Sequence, residues 1–156
     1  MQTLSQLAIL SASVLLANAH LTASNVVMDA NLQAGKLIRC WEPVDLHDAS
    51  AGYALSEPLY TMCSFMPHPH DLEKFYVNGV DPSSDDYTNL MKVMEVADYS
   101  DKYAVINLCL QEAFQYRPQS LPSDISMRCL CRREGCNVPK PLLQFLQFNK
   151  KVIPRL

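Results

Sequence analysis

Residues 126–137 read SMRCLCRREGCN, and the spacing of the three cysteines decides how the rest of the chain is read. Cys131 and Cys136 enclose Arg132, Arg133, Glu134 and Gly135, and Gly135 supplies the backbone freedom that so short a loop needs. Cys129 and Cys131 stand too close in sequence to bond each other without strain. In an extended strand, however, residues two apart share a face, so both can look into one core while reaching different partners. Cys40, Cys63 and Cys109 bring the count to an even 6. Six cysteines allow 15 pairings, and spacing selects Cys40–Cys63, Cys109–Cys129 and Cys131–Cys136. In the chain-entropy model the first contributes roughly 3 kcal/mol and the last about 2 kcal/mol. Zinc held by Cys129, Cys131, Cys136 and a histidine is the competing use. Structural zinc sites favour paired ligands with two to four residues between them, which this spacing matches poorly.

An even cysteine set belongs to an oxidising compartment, and the beginning of the sequence agrees. Residues 1–19 hold no Asp, Glu, Lys or Arg, and residues 7–16 (LAILSASVLL) are an apolar run. Ala17-Asn18-Ala19 then offers small residues where a signal peptidase reads. A signal peptide over residues 1–19 is expected, cleaved after Ala19. A membrane anchor is the rival, but the run falls short of the roughly 20 residues a span needs. The rest is read as secreted and extracellular, with no membrane span. The whole chain is 49% apolar with 4 glycines and 10 prolines, enough for one packed domain and unlike a disordered tail.

Local patterns then divide the chain. Residues 20–35 form a weakly patterned N-terminal leader, or an edge strand. Residues 36–42 read as a strand ending at Pro43, and residues 60–66 (YTMCSFM) as another, stopped by Pro67 and Pro69. Phe75-Tyr76-Val77 followed by Asn78-Gly79 signals a hairpin turn, with Val80 resuming the strand. Ser83-Ser84-Asp85-Asp86 opens a helix with a capping hydroxyl and acids in its first turn. Tyr87, Leu90, Met91, Met94 and Ala97 then fall on one stripe of it. Residues 103–110 (YAVINLCL) make the best strand, and residues 126–132 a second that would set Cys129 beside Cys109. Residues 140–156 form an amphipathic basic tail in which Leu142, Leu143, Phe145, Leu146 and Phe148 crowd together. That tail either folds back as a short helix over the core or touches an acidic surface or partner groove. The fold class expected is a small disulfide-rich, β-dominated α+β domain over residues 36–139, with one helical insertion and a short C-terminal helix.

The run Cys109…Cys129-Leu130-Cys131, then Cys136-Asn137, resembles the carboxyl end of three-finger domains of the Ly-6, urokinase-receptor and snake-toxin type. In that family two successive cysteines close the third finger and the last short loop, and an Asn follows the final Cys. Leu37-Ile38-Arg39-Cys40 is similar to the first Ly-6 strand. The tail also resembles small nematode-type secreted cysteine-rich proteins. The chain departs from the three-finger pattern at Leu130, which separates cysteines usually adjacent, and in the long stretch from Cys63 to Cys109. The resemblance implies a three-finger-like scaffold that works through surface shape, without catalysis.

Charge adds little about partners. Residues 20–116 carry 14 acids against 5 bases, and residues 117–156 carry 8 bases against 2 acids. The two regions neutralise each other in the fold, or else the second makes a basic face for an acidic partner. No dense basic-aromatic patch points to nucleic acid. Charges at Lys150, Lys151 and Arg155 speak against a lipid-anchor signal.

No catalytic motif stands out. There is no G-x-S-x-G elbow and no odd cysteine for a nucleophile. Asp81, Asp85 and Asp86 lack the spacing of a calcium loop. His68-Pro69-His70-Asp71 sets two imidazoles near a carboxylate, and His20 would be the new amino terminus after cleavage. A secreted metal-dependent enzyme using His20 with His68 or His70 is therefore the alternative reading. The preferred one is a non-catalytic binding protein without cofactor, acting on an extracellular or cell-surface protein. Phe75, Tyr76 and Tyr87 in the Cys63–Cys109 stretch, with Phe145 and Phe148 in the tail, are its candidate partner contacts.

Overall fold

The computed structural model describes residues 26–83, 87–95, 103–114 and 123–154. The expected signal peptide, His20, the capping run at Ser84-Asp85-Asp86 and Ala97 lie outside those residues. A first helix, α1, covers residues 26–33. It is followed by β1 (Trp41–Pro43), a single 3-10 turn (Ala49–Ala51) and β2 (Tyr53–Leu55). Next come β3 (Met62–His68), β4 (Asp71–Val80), helix α2 (Thr88–Glu95), β5 (Leu108–Phe114), β6 (Asp124–Cys131) and helix α3 (Leu142–Asn149). Strands pair into three successive antiparallel hairpins. β1 and β2 form a separate two-stranded ribbon, and the others a sheet in the order β4-β3-β6-β5.

The period of two in the strands sends alternate residues to opposite helices. Phe65, Val77 and Cys129 face α3, where they cluster with Leu142, Phe145 and Val138. Met62, Val80 and Leu130 face α2 and close around Met94, with Tyr87, Leu90 and Met91 at the margin. That is the helical stripe expected from the sequence. A third cluster holds Cys40, Cys63, Cys131 and Cys136 together with Ile38 and Ile153.

The three disulfides join Cys40 to Cys63, Cys109 to Cys129 and Cys131 to Cys136. Cys109 and Cys129 are direct cross-strand partners, as are Cys63 and Cys131. Cys129 and Cys131 thus share a face while bonding in different directions. Gly135, in the smallest loop, takes φ of 61°, the left-handed region where a Cβ is penalised. Asn137 follows as a four-way tie. Its side chain accepts from the Trp41 N–H and donates to the carbonyls of Trp41, Ser64 and Asn78. Fully buried, it fastens the β1–β2 ribbon to the sheet.

Several local expectations give way to tertiary contacts. β4 runs straight through Asn78-Gly79, and the chain instead reverses at Pro69-His70. Gly79 is there because the Tyr60 ring lies against it, so that a Cβ would overlap the ring. The Tyr60 hydroxyl donates to the Glu42 carboxylate at 2.7 Å, which fixes the ring in place. We expect Gly79→Ala to lower stability by about 1–3 kcal/mol, as overpacking does, measured by denaturant unfolding, with Tyr60→Ala restoring part of the loss. The same hydrogen bond pushes the Tyr60 pKa up to about 12, burial adding to it. A raised folded-state value means this contribution is whole below pH 10 and is lost as pH rises through about 12. Absorbance titration at 295 nm should show one of the 7 tyrosines ionising last, and Tyr60→Phe should remove that step.

Pro67 does not stop β3 but sits inside it. β6 pairs with β3 only from Cys63 to Phe65, so at Pro67 one flank is unpaired and a missing N–H is tolerated. A register shift follows between Pro67 and His68. β1 is shorter than expected, because Ile38 makes only an isolated bridge to Tyr60. β5 begins at Leu108, where its pairing with Leu130 begins, and residues 103–107 carry no ladder. Within the leader, read as weakly patterned or an edge strand, residues 26–33 are the helix α1. The basic tail is α3, whose Phe145 is stacked on Phe65 with ring centroids 4.1 Å apart. Both α1, through Asp29 with Arg133, and α3, through Phe145 with Phe65, contact residues of the 36–139 stretch.

Charge neutralisation within the fold accounts for three of the cationic side chains. Ion pairs Arg39–Glu134, Arg128–Glu112 and Arg133–Asp29 each join the acid-rich region to the base-rich one or close a strand pair.

Candidate functional site

Among the aromatic side chains named from the sequence, the structure separates core from surface. Phe145 is fully buried, and Phe148 is half-buried against two core clusters. Tyr87 packs on the α2 cluster and already carries the Arg128 guanidinium 4.9 Å from its ring centre. Arg128 also donates to its hydroxyl. Phe75 is half-buried, and Tyr76 is 64% exposed.

Phe75 and Tyr76 meet at a groove of about 490 Å³ between the outer strand β4 and the tip of the β1–β2 ribbon. That volume falls within the usual range for ligand sites. On one wall lie Glu73, Phe75 and Tyr76, and on the other Asp45, Leu46 and Tyr53. Leu46 is 82% exposed and Tyr53 37%. Tyr53 stacks obliquely on Phe75, Phe75 on Phe65, and Phe65 on Phe145. This column of four rings runs from the groove to the buried face of α3, so the aromatic floor is continuous with the core. A pre-formed aromatic surface of that kind loses little side-chain freedom when something docks on it.

Two local features hold the opposing wall open. The 3-10 turn is capped by Asp48, whose carboxylate accepts the Ser50 N–H and hydroxyl. Those hydrogen bonds lower the Asp48 pKa. Gly52 then takes φ of 78° before β2 begins. Asn137, holding the Trp41 backbone, anchors the other end of the ribbon. Of the groove's lining, the sequence singled out Phe75 and Tyr76 but not Leu46, Tyr53 or Asp45, since no periodic pattern marks so short a ribbon.

His68 lies between this groove and a smaller hollow of about 120 Å³ beside Leu72 and Ile125. His68 and His70 meet edge to face at 6.1 Å. The His68 Nδ1 accepts the His70 N–H at 3.3 Å, while Asp71 pairs with Lys74. Hydrogen bonds from the Glu73 N–H and from Lys74 lower the Asp71 pKa. Among the described residues no group of three or more His, Cys, Asp or Glu side chains is placed to hold a metal ion. Nor is any helix of the described residues long and apolar enough to cross a membrane.

A family model matches residues 25–150, a span that contains every element described above. The chain belongs to the family of unknown function DUF5354. Two relatives from Caenorhabditis elegans bear the names of uncharacterised proteins. C02B8.3 is 54% identical over 130 residues, 83% of this chain and 96% of the relative. C02B8.7 is 51% identical over 45 residues, 29% of this chain and 86% of the relative. No solved structure matches the chain.

Proposed function

We propose that this DUF5354 chain is a secreted, non-catalytic binding protein that meets an extracellular or cell-surface protein through the groove between β4 and the β1–β2 ribbon. The observation that carries the reading is the exposed aromatic and aliphatic lining, Leu46, Tyr53 and Tyr76, mounted on a ring column rooted in the core. Large amphipathic side chains held rigid at a concave surface are what protein contacts are built around. Three disulfides support an oxidising, extracellular location, and the apolar leader over residues 1–19 supports export. The succession of three hairpins supports the three-finger-like reading, in which shape does the work.

The test is a site-specific photo-crosslink. A benzophenone amino acid placed at Tyr76, and separately at the exposed Val93 of α2, is irradiated on intact cells of the source organism. A discrete adduct from position 76 that is absent from position 93, and is lost on Leu46→Asp, is the expected result. Equal labelling from both positions would refute the groove. Amino-terminal sequencing of the exported protein should begin at His20.

A further inference from the structure

Resting on the binding reading above, we infer that the groove takes a cationic side chain of the partner, lysine or arginine, as its anchor. The groove sets acidic side chains among aromatic ones. Asp45 and Glu73 both line the groove, and neither carboxylate is engaged in an ion pair among the described residues. Asp45 only accepts the His47 N–H. Asp29, Asp71 and Glu112 of the acid-rich region do hold ion pairs, with Arg133, Lys74 and Arg128. The lysine in the lining, Lys74, is turned to Asp71 at 3.3 Å, which cancels its charge locally. The groove therefore presents uncompensated negative charge beside Tyr53, Phe75 and Tyr76. Ring faces carry negative potential and attract ammonium and guanidinium groups. The aliphatic stem of a lysine or arginine would cover Leu46, while its head group would reach Asp45 or Glu73. An acidic anchor would meet like charge, and a purely apolar one would leave both carboxylates without a counter-charge.

The experiment is an amide NMR titration of the oxidised protein with four capped tripeptides, acetyl-Gly-X-Gly-amide, where X is lysine, arginine, norleucine or glutamate. Norleucine keeps the lysine stem and removes the ammonium. The lysine and arginine peptides are expected to shift amides at residues 45–53 and 73–77, with affinity about fivefold or more above norleucine. Glu73→Gln should weaken the lysine peptide by about fivefold and leave norleucine unchanged. Added salt should weaken the lysine peptide as well. Equal affinity for norleucine and lysine would overturn the cationic anchor while leaving the groove as an apolar docking surface. Preference for glutamate, or shifts confined to other residues, would overturn it too. Shifts at the groove that grow with protein concentration before any peptide is added would assign the site to a second copy of the chain and overturn it. The crosslinking test above reports on the docking surface independently of these outcomes.

Discussion

Mild dithiothreitol under native conditions will open Cys109–Cys129 first and leave a folded protein, whereas opening the other two disulfides will unfold it. Reduction needs a thiolate to reach a sulfur. Cys109 is exposed on the edge strand β5, while Cys40, Cys63, Cys131 and Cys136 are fully buried together. Loop lengths set the magnitudes. Separations of 23, 20 and 5 residues correspond in the chain-entropy model to about 3, 3 and 2 kcal/mol. Together these approach the whole stability of an ordinary domain, about 5–15 kcal/mol. Losing one bond of about 3 kcal/mol lowers the denaturation midpoint but leaves the sheet in place, because Cys109 and Cys129 remain held by a ladder that runs from Leu108 to Phe114. Losing all three removes the cross-links that bind β3, β6 and the residue 131–136 loop. Timed alkylation followed by peptide mass analysis, with circular dichroism on the same samples, measures both steps. Alkylation of Cys131 or Cys40 ahead of Cys109 would contradict the burial that defines the core.

The features legible in the sequence are those encoded by near neighbours. Cysteine spacing gave the pairing, and the alternation around Cys129 and Cys131 gave β6 and its partner. The stripe of Tyr87, Leu90, Met91 and Met94 gave α2, and the crowding of Leu142, Phe145 and Phe148 gave α3. Misreadings occur where a distant residue decides. Asn78-Gly79 has the composition of a turn, yet the glycine answers to Tyr60 of another strand. Helix α1 hid because its inward face is polar: Asp29 and Gln33 point to the core, while Met28 and Leu32 face solvent. Periodicity methods look for the opposite arrangement. The groove was half visible, through Phe75 and Tyr76. Its other wall depends on where Asn137 places the β1–β2 ribbon, a placement with no local signature.

The inverted polarity of α1 leads to the second large effect. Arg133→Met is expected to destabilise the protein by about 3–5 kcal/mol, the cost of stranding one member of a buried ion pair. Arg133 is 1% exposed within the Cys131–Cys136 loop. It donates to the Asp29 carboxylate at 3.1 Å, to the Lys151 carbonyl at 3.0 Å, and to the Asn149 carbonyl and side-chain oxygen at 2.6 and 3.2 Å. Asn149 in turn donates to the carbonyls of Cys136 and Phe145, and Gln33 links Asp29 to the Glu134 N–H. Burial lowers the Arg133 pKa and the Asp29 charge pushes it back up. One guanidinium thus joins α1, the smallest disulfide loop and the end of α3. Methionine fills the space but leaves the Asp29 charge without its counter-charge, and takes a donor from the Lys151 carbonyl and from both Asn149 oxygens. If stranded charge is the cause, Asp29→Asn combined with Arg133→Met will recover part of the loss, and a double-mutant cycle in guanidinium chloride will show a coupling of about 1–3 kcal/mol. A loss below about 1 kcal/mol for Arg133→Met alone would mean that water reaches Asp29, and that α1 is pinned by something other than this pair.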